Sequence, residues 1–270
     1  MPPTNTQTAT GIPERDFQAI KAFLVRSTVP LIYESGEATG VQGTGCLFDL
    51  KGTLFFVTAG HVLQGVDPNK LGVPIRASNG EIFTLGTGIV GWSRNDEYDV
   101  AAYRIDDAET SQSLRRSYTV LSTSNLEKPV PEDDHYIVAG YPTETITRIG
   151  RTLTPRDLTQ IHTCLYNGEV LGERTLYDLF LKLDGTAQSL WGHSVTVPSI
   201  KGISGGPVWQ VRESVSAIWS PESSLRLVAI QVSCDPRREQ YMRALSWSVV
   251  LVALQRLIPN SPPSAAASGA

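Results

Sequence analysis

The stretch GISGGPVW, residues 202–209, sets Ser204 among three glycines and follows it with a proline and a tryptophan. A serine in this setting is either a nucleophile on a sharp turn or one polar residue of a glycine-rich loop between strands. If it is a nucleophile, the surrounding chain must say which architecture carries it.

Outward from that stretch the pattern is short and strand-like. The apolar runs VPLIYES, GTGCLFDL, TLFFVTAG, GVPIRA, EIFTLGTGIVGW, DVAAYRI, HYIVAGYP, TRIGRTL, IHTCLYNGEV, LYDLFLKLD, HSVTVPS, GPVWQV and LRLVAIQVS are mostly separated by Gly, Pro, Asn or Asp. About a dozen strands at such spacing predict an all-β sandwich or barrel fold. The helical patterns that α/β folds place between strands are mostly missing. Helices are expected at the two ends. In PERDFQAIKAFLVR, residues 13–26, Phe17, Ile20, Phe23 and Leu24 fall at helical spacing behind Pro13. Near the other end Val250, Leu251, Leu254 and Leu257 form one stripe, with Ser246 as N-cap and Pro259 as stop. The Thr-rich residues 1–12 and the low-complexity residues 259–270 read as disordered tails.

Composition excludes several classes of function. The 270 residues suit one large or two small domains, and 41% hydrophobic content is enough to bury a full core. A net charge of −4 with no basic run gives no electrostatic footing for nucleic acid. No stretch of about 18 apolar residues exists to span a membrane. The start, MPPTNTQTATGIPERDF, has neither the basic segment nor the apolar core of a secretory signal. Three cysteines, Cys46, Cys164 and Cys234, argue for reduced thiols rather than a disulfide framework. A cytoplasmic location is the simplest expectation.

GISGG also satisfies G-x-S-x-G, the nucleophile elbow of α/β-hydrolases, but that architecture places its histidine after the serine. All four histidines, His61, His135, His162 and His193, precede Ser204. The order left is base, acid, nucleophile. His61 ends the apolar run LFFVTAGH, where a strand terminus can hold an imidazole rigidly for general-base work. The acid comes from NDEYDVAAYRI, which offers Asp96, Glu97 and Asp99. Asp99 opens directly into the strand VAAYRI, whereas the other two sit in the turn before it. It is therefore the candidate for a buried carboxylate that orients the imidazole.

TAGH at His61, DVAAYRI at Asp99 and GISGGPV at Ser204 resemble the three signature blocks of trypsin/chymotrypsin-like serine proteases, in order and 38 and 105 residues apart. AGYP, residues 139–142, is similar to a segment of bacterial members, and QYMRALSWSVVLVALQRL, residues 240–257, to the last strand and closing helix of the fold. The resemblance implies two six-stranded antiparallel β-barrels within residues 13–258, dividing near 120–135, with N- and C-terminal helices. It implies a serine endopeptidase needing no cofactor or metal and acting on a protein or peptide substrate. His61, Asp99 and Ser204 would form the triad, and the N–H groups of Gly202 and Ser204 the oxyanion hole. The specificity pocket would involve Pro198, Lys201, Gln231 and Ser233, with His193 as a further lining candidate. Pro198 stands where a trypsin-like pocket carries Asp, and Gln231 where glutamyl endopeptidases carry His, so an uncharged P1 residue is expected.

Some positions depart from the family pattern. Ile203 replaces the Asp that pairs with a newly cleaved N-terminus in animal members, so another contact must order the oxyanion loop. Gly60 replaces a commoner Ala. Cys46 stands where a family disulfide often begins, but Val62 occupies the partner position, as in disulfide-free bacterial types. A cytoplasmic protease calls for restraint, by narrow specificity or a regulatory protein partner. A catalytically silent binding module, or an esterase or acyltransferase, would carry the same blocks.

Overall fold

The first helix, α1 (Glu14–Ser27), buries Phe17, Ile20, Phe23 and Leu24, the four residues whose spacing predicted it. The computed structural model describes residues 14–35, 38–75, 82–85, 89–95, 98–129, 135–143, 146–149, 152–155, 158–172, 174–183, 186–188, 194–196, 200–212, 219–234 and 240–258. Both expected tails lie outside the described residues, as do Asp96, Glu97, His193 and Pro198.

Two large sheets follow α1. The first contains β1 (Val29–Ser35), β2 (Ala38–Leu50), β3 (Thr53–Ala59), β4 (Leu71–Pro74), β5 (Ile82–Thr84), β6 (Ile89–Asn95), β7 (Val100–Ile105) and β8 (Leu121–Ser122). Its order is β5-β4-β1-β2-β3-β7-β6, with β8 parallel to β2. The second contains β9 (Tyr136–Gly140), β12 (Thr159–Thr163), β13 (Asp178–Lys182), β14 (Thr186–Gln188), β15 (Ser194–Thr196), β16 (Pro207–Val211), β17 (Leu225–Cys234) and β18 (Tyr241–Ser246). Its order is β13-β18-β17-β16-β9-β12-β14-β15. In each sheet six strands have four or more residues and two are shorter pieces. These are the expected two curled antiparallel half-barrels.

Successive residues of β9 enter two different cores because neighbouring side chains point to opposite faces. Tyr136 and Val138 of β9 join Ile161, Val208, Val228, Met242 and Ala244 inside the half-barrel. Ile137 and Ala139 of the same strand face a larger core shared with Leu47, Phe48, Val57 and Trp247. Both faces of β9 are therefore buried. Helix α1 packs on the sheet's outer face, where the Phe23 ring meets Trp209 edge-on at 5.3 Å. The last helix, α4 (Trp247–Leu257), buries Trp247, Val249, Val250, Ala253 and Leu254, and Ser246 caps it by accepting from the Ser248 N–H.

Among the described residues the structure differs from the sequence expectation in several places. TRIGRTL is not one strand but the hairpin β10 (Ile146–Ile149) and β11 (Thr152–Pro155). EIFTLGTGIVGW is divided between β5 and β6. Helix α2 (Ala108–Ser117) was not anticipated, since Leu114 is its one large apolar residue. Its start was nonetheless written in Asp107, whose carboxylate accepts from the Thr110 N–H at 2.7 Å.

Candidate active site

Strands β3 and β7 pair antiparallel with Ala59 opposite Val100, so the end of one meets the start of the other. The residues just beyond that pair are Gly60 and His61 on one side and Asp99 on the other. His61 lies in a single 3₁₀ turn, Gly60–Leu63, that continues β3. Asp99 grips it twice. One carboxylate oxygen, Oδ1, accepts the His61 backbone N–H at 2.7 Å, and Oδ2 lies 2.7 Å from the ring Nδ1. The Asp99 carbonyl accepts the Gly60 N–H at 2.9 Å. These three contacts hold Asp99 at φ 54°, a left-handed conformation that Asp tolerates better than most residues. Gly60 is explained by the same contact, because a Cβ there would stand 3.0 Å from Asp99 Oδ1. The acid is less buried than expected: its side chain is 28% exposed and that of His61 43%. Asp99 ends a turn rather than sitting within the strand, so one side of its carboxylate stays open.

On the second half-barrel, residues 200–206 form a loop ahead of β16 in which four successive carbonyls are engaged. The Lys201 oxygen accepts from the Thr143 N–H at 2.8 Å and its hydroxyl at 2.9 Å. Gly202 O accepts from the Thr44 hydroxyl at 2.6 Å. Ile203 O accepts from the Gly206 N–H, and Ser204 O from the Thr44 N–H, both at 2.8 Å. In a trans peptide the N–H points opposite to the carbonyl before it. Fixing Lys201 O on Thr143 and Ile203 O on the loop's own Gly206 therefore turns the Gly202 and Ser204 N–H groups the opposite way. Among the described residues neither N–H has an acceptor. Two preorganised donors flanking a serine are what an oxyanion hole requires.

Two glycines make this path possible. Gly202 has φ 93°, and a Cβ on it would meet Tyr141 O at 2.5 Å. Gly205 has φ 88°, and a Cβ there would collide with Thr44 O and the Thr58 hydroxyl. Between them Ile203 is fully buried in the second core, against Gly140. The position that carries an ion-pairing Asp in animal proteases is here an apolar anchor.

The two halves converge at β2. A Cβ on Gly43 would contact Val62 at 2.5 Å and Ser204 O at 3.2 Å, so His61's turn and Ser204's loop flank the same backbone. Ser204 is half-buried, and its Oγ has no hydrogen bond to His61 among the described residues.

The candidate pocket residues are only partly assembled. Lys201 and Ser233 are exposed. Gln231 is buried, and its side-chain amide donates to Ser233 O at 3.0 Å across a bulge in its own strand. Its backbone holds the serine loop instead: Gly205 N–H donates to Gln231 O at 2.8 Å, and Gln231 N–H to Gly206 O at 2.9 Å. Sequence reading missed Thr44, Tyr141 and Thr143. The signals were a polar residue between glycines in QGTGC and the AGYPT segment after β9. All three cysteines are free, and burial raises the Cys46 thiol pKa. Among the described residues no cluster of His, Cys, Asp and Glu could hold a metal, and no helix is long and apolar enough to cross a membrane.

No family model matches the chain, and no curated protein matches it in sequence. Solved structures do. An inactivated protease paralogue of the scabies mite aligns with a TM-score of 0.54 at 13% identity, over 87% of this chain and 95% of its own. The thermostable serine protease AL20 from an extremophilic microorganism aligns at 0.52 and 11% identity, over 86% and 96%. A serine endoprotease of Yersinia pestis aligns at 0.51 and 18%, over 92% and 68%. The chain has the chymotrypsin-like fold of trypsin-like serine proteases.

Proposed function

We propose that this protein is a serine endopeptidase, with Ser204 as nucleophile, His61 as general base and Asp99 as the group that orients it. The observation carrying this reading is the pairing of an Asp99-bound imidazole with a serine loop whose Gly202 and Ser204 N–H groups have no acceptor among the described residues. Ser204 Oγ would attack the scissile carbonyl while His61 Nε2 takes its proton. Asp99 Oδ2 would keep the remaining proton on Nδ1 and stabilise the imidazolium. The carbonyl oxygen, now negative, would sit between the two N–H donors. His61 would then return its proton to the leaving amine, giving an acyl-enzyme on Ser204 that water hydrolyses by the same relay. With Gln231 buried and Ser233 neutral, an uncharged P1 residue fits best. We assign the protein a narrow substrate range among proteins or peptides, or control by a protein partner.

A catalytically silent binding module is the second reading. It is favoured by the missing Ser204–His61 hydrogen bond and by the fold's occurrence in an inactivated paralogue. In unliganded enzymes that bond is often long, so it does not decide the matter. A fluorophosphonate probe does. Covalent labelling at Ser204, lost in Ser204→Ala and strongly reduced in His61→Ala, is expected. A folded wild-type protein that remains unlabelled would sink the active-enzyme reading.

A further inference from the structure

We propose that the Thr44 hydroxyl positions the oxyanion loop, holding from the first half-barrel the Gly202–Ile203 peptide that lies between the two oxyanion donors. This inference rests on reading Ser204 as the nucleophile.

Thr44 lies within β2 and is fully buried, and every polar group it has is committed. Its N–H donates to Ser204 O at 2.8 Å. Its carbonyl accepts from the Thr58 hydroxyl at 2.7 Å. Its own hydroxyl accepts the Tyr141 N–H at 2.9 Å and donates to Gly202 O at 2.6 Å. Because Tyr141 occupies the acceptor side of the hydroxyl, the hydroxyl hydrogen is directed at Gly202 O. Thr is also stiff at χ1, so the donor arrives without further ordering.

The bond falls where the loop has least other support. The carbonyls on either side, Lys201 O and Ile203 O, accept backbone N–H groups, from Thr143 and Gly206. The Gly202 carbonyl has no donor but the Thr44 hydroxyl among the described residues. Glycine lacks the Cβ that would restrict the adjoining dihedrals. Rotating this peptide would change ψ of Gly202 and φ of Ile203, and so the angle between the Gly202 and Ser204 N–H groups. A neutral hydrogen bond across the half-barrels thus helps order a loop whose residue 203 cannot form an ion pair. Tyr141, from the AGYP segment, completes the relay. Thr44 touches none of the reacting atoms and acts through Gly202.

The test compares Thr44→Val, which keeps the shape, with Thr44→Ser, which keeps the hydroxyl. Ester turnover and fluorophosphonate labelling are measured beside amide exchange at Tyr141. In Thr44→Val, kcat and the labelling rate should fall about 10- to 100-fold with KM nearly unchanged, a fraction of the loss seen on deleting an oxyanion donor outright. The Tyr141 amide, deprived of its acceptor, should exchange about 10-fold faster or more. Thr44→Ser should restore both. Exchange at Phe56, in the β2–β3 ladder, confirms a folded sheet. Wild-type kcat in Thr44→Val, or equal losses in Val and Ser variants, would overturn the proposal. If the Val variant does not fold, Thr44→Ala replaces it with the same expectations. If wild-type protein is not labelled at Ser204, the nucleophile reading fails by itself, and Tyr141 exchange still judges the Thr44 contact: unchanged exchange in the Val variant overturns it.

Discussion

The two half-barrels hold their parts of the candidate site by different means. On the first, one side chain does the work: the Asp99 carboxylate binds both the backbone and the ring of His61, in a half-exposed position. On the second, the serine loop is fixed through a run of its backbone carbonyls and one fully buried side chain, Ile203. The first arrangement concentrates function in a carboxylate that the core does not need. The second merges function with folding, since the loop's anchor is also a core residue. Substitutions should therefore separate activity from stability on one side and fail to separate them on the other.

The largest effect belongs to the first side. Asp99→Asn should lower kcat about 10⁴-fold if the chain is an enzyme, because an amide NH₂ facing the ring leaves the imidazole in the wrong tautomer. The fold should barely respond. Asn tolerates positive φ, and its oxygen can still accept the His61 N–H. A urea midpoint within error of wild type, beside the collapse in turnover, is the expected result. A strongly destabilised Asp99→Asn would remove the contrast between the halves.

On the second side the corresponding change is Ile203→Ala. Truncating a fully buried aliphatic residue typically costs about 2–5 kcal/mol, and Ile203 packs against Gly140 within the inner core of its half-barrel. Urea denaturation should show that loss, with labelling at Ser204 slowed in the same variant. Ile203→Val should lie between, at about 1 kcal/mol. Stability lost with labelling untouched would mean that the loop is held without its anchor.

The same contrast explains what could be read in the sequence. TAGH and DVAAYRI join a strand end to a chemically distinctive side chain, and such a pair survives as a local pattern. The helices at the two ends were likewise legible from Phe17, Ile20, Phe23 and Leu24, and from the Val250 and Leu254 stripe, because one apolar face repeats at helical spacing. Ser204 and its glycines were visible too. Their supports were not, because Thr44 meets Gly202 across 158 residues and Tyr141 across 97, and hydrogen bonds to carbonyls leave no mark on the residue that accepts them. Helix α2 escaped for another reason: its sequence AETSQSLRRS carries one buried leucine and so no periodic stripe. Gln231, expected to line a pocket, is buried, and its amide donates to Ser233 O beside a bulge in its own strand.

The comparison sharpens further through pH. Among the described residues the first half-barrel has one histidine, His61, and it is exposed. The second has His162 on β12, half-buried beside α1, its ring 6.0 Å from Phe17 and its Nδ1 3.2 Å from His135 Nε2. Among the described residues the buried His162 Nε2 has no hydrogen-bond partner. Burial, with a smaller contribution from the charge of His135, pushes its pKa from 6.5 down to about 4. A histidine that binds protons more weakly when folded contributes its full stability above about pH 6.5 and loses it as the pH falls toward 4. By pH 4.5 the loss attributable to this ring is about 2–3 kcal/mol. His162→Leu, which cannot titrate, should lose that much less between pH 7 and pH 4.5, with the carboxylates common to both proteins cancelling in the difference. Trp209 fluorescence is a suitable readout, since Phe23 of α1 rests on that ring. Loosening of α1 should register there before the exposed His61 turn responds. Parallel pH profiles for wild type and His162→Leu would show that acid does not distinguish the two halves.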